Sequence, residues 1–220
     1  MARTAKPDLG VGVYTYSEAA TILGRGPDAV SSRQVNYWIQ TGLTPPSMRA
    51  LNRGVLSFHD LISLEMVRRF RAKGVSLQRV RWFEERLRHE YKDRHRPMAY
   101  DVFFTDGAAI WAREAGEEDP KLLEIVGKRQ DHYVWTESIL TFAEEIEYEG
   151  PSGAATSWSP APWVSLDPDV QFGTPVVAGS RVPVRTIGAN LQVAEPEQVA
   201  DWYGLTLKQV LGVREYLAVT

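Results

Sequence analysis

The decapeptide Ser31–Gln40, SSRQVNYWIQ, gathers side chains suited to reading nucleic acid. Val35, Trp38 and Ile39 fall at i, i+3 and i+4, so a helix here turns them inward and leaves Arg33, Gln34, Asn36 and Tyr37 outward. Arginine forks onto the O6 and N7 edge of guanine, and asparagine or glutamine onto the N6 and N7 edge of adenine. Ser31 and Ser32 stand at the helix start, where a hydroxyl caps the helix and free N–H groups suit phosphate. Arg49 and Arg53 flank a turn expected around Asn52-Arg53-Gly54. They read equally as a second phosphate or minor-groove contact and as solvated arginines on a surface hairpin.

Nothing comparable points to catalysis or metal binding. The four histidines, His59, His89, His95 and His132, show no HExxH spacing, and the chain has no cysteine and no Gly-rich phosphate loop. Glu144, Glu145, Glu147 and Glu149 read as a solvated face. The expectation is a chain that is not an enzyme and holds no metal or cofactor. With no stretch of about 18 apolar residues and no signal peptide, a cytoplasmic location is expected.

Punctuation around the decapeptide defines the elements that position it. Thr15 and Glu18 form a capping box before Ala19, Ala20, Ile22 and Leu23, and Gly24, Gly26 and Pro27 end that helix. Pro45-Pro46 stops the second helix's continuation, and residues 47–56 follow as a hairpin. Ser57 with Asp60 opens a third helix that Gly74 closes, and Ser76 opens a fourth. Arg68, Arg69, Arg71, Lys73, Arg79 and Arg81 straddle the junction of these two helices, positioned to line a DNA backbone or to be solvated. Residues 1–12 read as a loose basic arm.

Charge divides the chain. Residues 1–96 hold 17 Lys and Arg against 9 Asp and Glu, a balance of +8, whereas residues 97–220 balance at −11. A polyanion suits the first part and a different partner the second. Residues 97–149 are expected to form a small β-rich unit, with a strand-turn-strand at Val102–Arg113 and further strands at LLEIV and HYVWTESIL. Residues 150–162, GPSGAATSWSPAP, read as a linker. In residues 163–220, Pro196 suits the first position of a helix, and Thr206 with Gln209 forms another capping box. The expected architecture is α+β, mainly α: a winged helix-turn-helix at 14–96, the β-rich unit, the linker and a small helical, helix-turn-helix-like domain.

Tyr14-Thr15, Glu18-Ala19-Ala20, VNYWIQTGL at Val35–Leu43, LSFHDL at Leu56–Leu61 and GVSLQRV at Gly74–Val80 resemble the MerR-type DNA-binding domain. The chain departs from that family in carrying Asn36-Tyr37-Trp38 where Arg-Tyr-Tyr is usual, and in a longer turn after the first helix. The resemblance implies a homodimer on a two-fold symmetric operator. The C-terminal region, with Asp167-Pro168, Phe172-Gly173, Pro175 and Gly179-Ser180-Arg181-Val182-Pro183-Val184, resembles the small domain of VapB-type antitoxins. That resemblance implies an antitoxin that neutralises a PIN-like ribonuclease toxin and represses its own operon. Trp163, Phe172, Arg181, Trp202 and Tyr203 are then the candidate toxin-binding residues. The alternative is a MerR-type transcriptional regulator that senses a small molecule through the 97–149 unit.

Overall fold

Side-chain caps start the helices of the N-terminal head. In the computed structural model, which describes residues 12–25, 28–44, 48–50, 53–92, 94, 96–101, 103, 141–150 and 153–218, Thr15 Oγ1 accepts from the Glu18 N–H at 3.2 Å. The Glu18 carboxylate accepts from the Thr15 N–H at 2.8 Å, completing the box. Helix α1, Tyr16–Leu23, follows, with Gly24 at its C-cap. Ser31, not Ser32, caps α2 (Ser32–Gln40) through the same reciprocal pair with Gln34. Strand β1 (Val13–Tyr14), strand β2 (Met48–Ala50) and strand β3 (Arg53–Ser57) form an antiparallel sheet in the order β1-β3-β2. Arg49 lies opposite Gly54 and Ala50 opposite Arg53. Arg53 and Gly54 therefore belong to β3 rather than to the turn expected around residues 52–54. Ser57, the last residue of β3, caps α3 (Phe58–Ala72) with Asp60, and Ser76 caps α4 (Leu77–Glu90). Gly74, at a φ of 86°, makes the left-handed turn between α3 and α4.

The second sheet corrects the linker expectation. Strand β4 (Ile146–Tyr148), β5 (Ala155–Ala161), β6 (Val164–Leu166) and β7 (Val176–Val177) pair antiparallel in that order. Residues 155–161 are thus an inner strand. Their Gly, Ser, Pro and Ala composition imitates a tether, but Ala155 and Ser157 point inward while Thr156 is exposed, the two-residue period of a half-buried strand. Trp158 is 2 % exposed. Helices α5 (Val184–Asn190), α6 (Pro196–Tyr203) and α7 (Leu207–Ala218) complete the tail. Pro196 sits in the first turn of α6, and Thr206 Oγ1 accepts from the Gln209 N–H before α7. Of the expected β-rich unit, residues 104–140, which carry most of its anticipated strands, lie outside the described residues. Phe103, inside the first expected strand, is helical and buried.

Head and tail share one apolar core, which runs from Leu23, Phe58 and Phe83 through Phe103 and Phe142 to Trp158, Ile187 and Val213. Polar ties cross the same junction. The Tyr14 hydroxyl donates to the Gly173 carbonyl at 3.0 Å, and an Arg25 guanidinium N–H donates to the Tyr216 carbonyl at 2.9 Å. His59 Nε2 lies 3.1 Å from the Ala155 carbonyl. Gly173 is required on two counts: its φ is 81°, and a Cβ there would stand 2.0 Å from Tyr14 Oη. Gly173→Ala is expected to cost at least ~2 kcal/mol, from left-handed strain and loss of the Tyr14 contact. Urea unfolding beside Gly179→Ala, which shares the left-handed φ but has open space around it, checks this; equal losses would remove the clash from the explanation.

Candidate nucleic-acid interface

Helix α2 presents its polar side outward. Val35, Trp38 and Ile39 are buried against the core, while Ser31, Ser32, Arg33, Gln34, Asn36 and Tyr37 are exposed. The two halves of this face differ chemically. Ser31 and Gln34 are engaged with each other: the Gln34 side-chain oxygen accepts from both the Ser31 N–H and its hydroxyl at 2.9 Å. Gln34 consequently offers its amide N–H groups rather than the donor–acceptor pair that adenine requires. Asn36, with both an amide donor and a carbonyl acceptor, and the Arg33 guanidinium lie on the same exposed face. Ser31 thereby serves as a cap more than as a free phosphate ligand, and Ser32 is the exposed hydroxyl in the first turn.

The hairpin places the backbones of Arg49 and Arg53 on adjacent strands near one end of the wing. Their side chains lie outside the described residues. The basic cluster at the α3–α4 junction divides. Arg71 and Lys73 are exposed, and Arg71 Nη1 donates to the Val75 carbonyl at 2.6 Å. Arg68 and Arg69 are turned inward, matching neither the DNA-lining nor the solvated role expected of the cluster. Arg68 meets the buried Glu65 at 2.6 Å. Arg69 bonds Glu65 at 2.8 Å and Glu145 at 2.6 Å, and its guanidinium lies 4.4 Å above the Phe142 ring. Glu145 also accepts from the Trp158 indole N–H at 3.1 Å. Sequence spacing pairs Glu65 with both arginines at i+3 and i+4, but Arg69's second partner Glu145 is reached only through the tertiary fold.

The tail residues expected to meet a protein partner differ in exposure. Trp163, Phe172 and Trp202 are exposed at 42 %, 75 % and 58 %, and Arg181 is exposed. Tyr203 is half-buried, and its hydroxyl accepts from the Asn190 side-chain amide at 3.0 Å. Trp163 and Phe172 line different cavities. Both hold left-handed backbone, at φ values of 68° and 55°, which L residues with large side chains adopt at an energetic cost.

Electrostatics beneath the head are unusual. Asp60, fully buried, accepts from the Ser57 N–H and from Arg96 Nε. Glu84, also buried, accepts from Arg88 Nη2 at 2.6 Å. Burial pushes the Glu84 carboxyl up to about 7 against the opposing pull of Arg88 and Arg96. Burial likewise raises the Tyr14 hydroxyl, with help from Glu18 and Asp167, and keeps it a donor. Among the described residues no cluster of three His, Asp or Glu could hold a metal, and no helix is long and apolar enough to cross a membrane.

Comparison with known proteins separates the chain along the same lines. Residues 14–86 match the family model described as MerR HTH family regulatory protein, and residues 164–217 match one described as a protein of unknown function, DUF433. Uncharacterized HTH-type transcriptional regulators of Mycobacterium bovis and Mycobacterium tuberculosis are 30% identical over 109 residues, which is 46% of this chain and 47% of theirs. The chain thus spans about half the length of the curated relatives it matches. The crystal structure of Rv2018 from Mycobacterium tuberculosis superposes with a TM-score of 0.74 at 22% identity, covering 95% of this chain and 99% of that one. The joined head-and-tail fold is therefore shared with a solved protein. The head is a MerR-like helix-turn-helix unit.

Proposed function

We propose that this chain is a transcriptional regulator that binds duplex DNA by laying α2 in the major groove, with the β2–β3 hairpin against the adjacent backbone. The observation that carries this reading is the exposed Arg33, Asn36 and Tyr37 face of α2, held on a MerR-type head. The operator is a two-fold symmetric site read by a homodimer, because one short recognition helix contacts too few bases for specificity by itself. Arg33→Ala and Asn36→Ala are each expected to weaken specific binding by about 1–3 kcal/mol and to relax base preference at one position. Arg71→Ala is expected to lower the salt slope while leaving base preference intact. Fluorescence anisotropy on the chain's own upstream DNA, at several salt concentrations, measures both. Unchanged affinity in Arg33→Ala and Asn36→Ala would remove α2 from the groove.

A second reading is favoured by the tail surface. Phe172 is the most exposed aromatic named there, and it sits on strained left-handed backbone that no burial of its ring repays. A protein partner that covers Phe172, Trp202 and Trp163 would recover that cost. Under this reading the chain is an antitoxin of the VapB class, and the partner a PIN-like ribonuclease whose basic substrate face complements the acidic half of the chain, residues 97–220. Co-expression with the neighbouring small open reading frame, with only this chain tagged, distinguishes the two. A stable complex with a silent ribonuclease favours the antitoxin; recovery of the regulator by itself, still binding DNA, rules against it.

A further inference from the structure

A cavity of about 520 Å³ opens where the tail meets the head, between α1 and α3 on one side and β5, the β5–β6 turn and α7 on the other. Its size is within the ~300–1,000 Å³ range of small-molecule sites. Trp158, Trp163, Pro160 and Leu211 give it apolar walls. Its charges do not balance locally. Arg68 and Arg69 are neutralised by Glu65 and Glu145. Arg25 spends one N–H on the Tyr216 carbonyl and has no carboxylate partner among the described residues, and Lys208 has no partner among them at all. Glu215 is the only other acid lining the space. The lining therefore carries one uncompensated positive charge beside aromatic walls. Trp163 adds a second sign of a built site. Its backbone is left-handed, and Gly212 leaves the space its ring needs, since a Cβ on Gly212 would stand 2.4 Å from the indole.

We propose that this junction is an effector site for a small aromatic carboxylate, its ring between Trp163 and Leu211 and its carboxylate toward Arg25 and Lys208. The proposal rests on the DNA-binding reading for its consequence, since α1 packs directly on the recognition helix α2 and also lines the cavity. A ligand that favours one arrangement of tail against head biases the placement of α2. The site lies outside residues 97–149, where an effector was expected.

The test uses the full chain and 2-naphthoate, with 2-naphthylmethanol as the uncharged isostere. Tryptophan fluorescence and calorimetry should show saturable binding of one naphthoate per chain, at least tenfold weaker for the alcohol. Lys208→Gln should weaken naphthoate about fivefold without lowering thermal stability. Leu211→Trp or, where that variant folds poorly, Ala161→Phe should abolish binding by filling the space. Equal binding of acid and alcohol, or insensitivity to both Lys208→Gln and the filling variant, overturns the site. Operator affinity, measured separately without and with naphthoate, should shift at least threefold in the wild type and stay fixed in the filling variant. A chain that binds naphthoate with no change in operator affinity overturns the effector role. A chain that binds naphthoate but no DNA instead overturns the DNA-binding reading and leaves the site standing.

Discussion

Arg96→Ala is expected to destabilise the chain by about 3–5 kcal/mol, the range for removing one member of a buried ion pair. Arg96 is 2 % exposed and Asp60 is fully buried. Asp60 caps α3 through the Ser57 N–H with one oxygen and meets Arg96 with the other. Truncating the arginine leaves a carboxylate that water does not reach. Arg96 also opposes the upward push on Glu84, so its loss strands a second acid. Urea unfolding at neutral pH gives the size of the effect, with exposed Lys92→Ala expected within about 0.5 kcal/mol of the wild type. The double variant Asp60→Asn with Arg96→Ala should recover part of the loss, because the buried charge is gone. A double variant no better than Arg96→Ala would mean that packing, not the stranded charge, dominates.

Glu84 gives the second large effect, and its direction runs against ordinary acid denaturation. The unfolded carboxyl titrates near 4.5 and the folded one near 7, chiefly because it is buried. Between those values the folded chain holds a proton that the unfolded chain has released. Glu84's contribution is therefore most favourable below about pH 4.5 and is lost as pH rises through 7, a change of about 3 kcal/mol. Other carboxylates slope the opposite way, so the signal is a difference between proteins. Glu84→Gln keeps an acceptor for Arg88 but does not titrate. Relative to the wild type it should gain roughly 3 kcal/mol between pH 4.5 and pH 8. A constant difference across that range would mean that Arg88 holds the carboxylate ionised throughout.

The parts of this fold legible in the sequence are those decided within a few residues. Thr15 with Glu18, Ser57 with Asp60 and Thr206 with Gln209 each announce a helix start, and each forms the expected bonds; Ser31 caps α2 as one of two expected serines, but its reciprocal bond with Gln34 was not foreseen. The inward set Val35, Trp38 and Ile39 was equally readable, and with it the exposed face of α2. Residues 155–161 were not readable as a strand, because what makes them one is pairing with β4 and β6 on either side. Arg68 and Arg69 look like a surface charge run until Glu145, 76 residues from Arg69, is brought beside them. The junction cavity left no trace in any single segment, since its walls come from α1, α3, β5 and α7.

The shared core has a consequence for how the protein is made. Tyr14 bonds Gly173 across 159 positions, and Arg25 bonds Tyr216 across 191. At synthesis rates of roughly 5–20 residues per second, α1 waits about 10–40 s for its tail partner to leave the ribosome. During that interval the nascent head has an uncovered apolar side. Head and tail match separate sequence families but share one core, so a chain truncated before residue 216 is expected to expose the apolar side of its head.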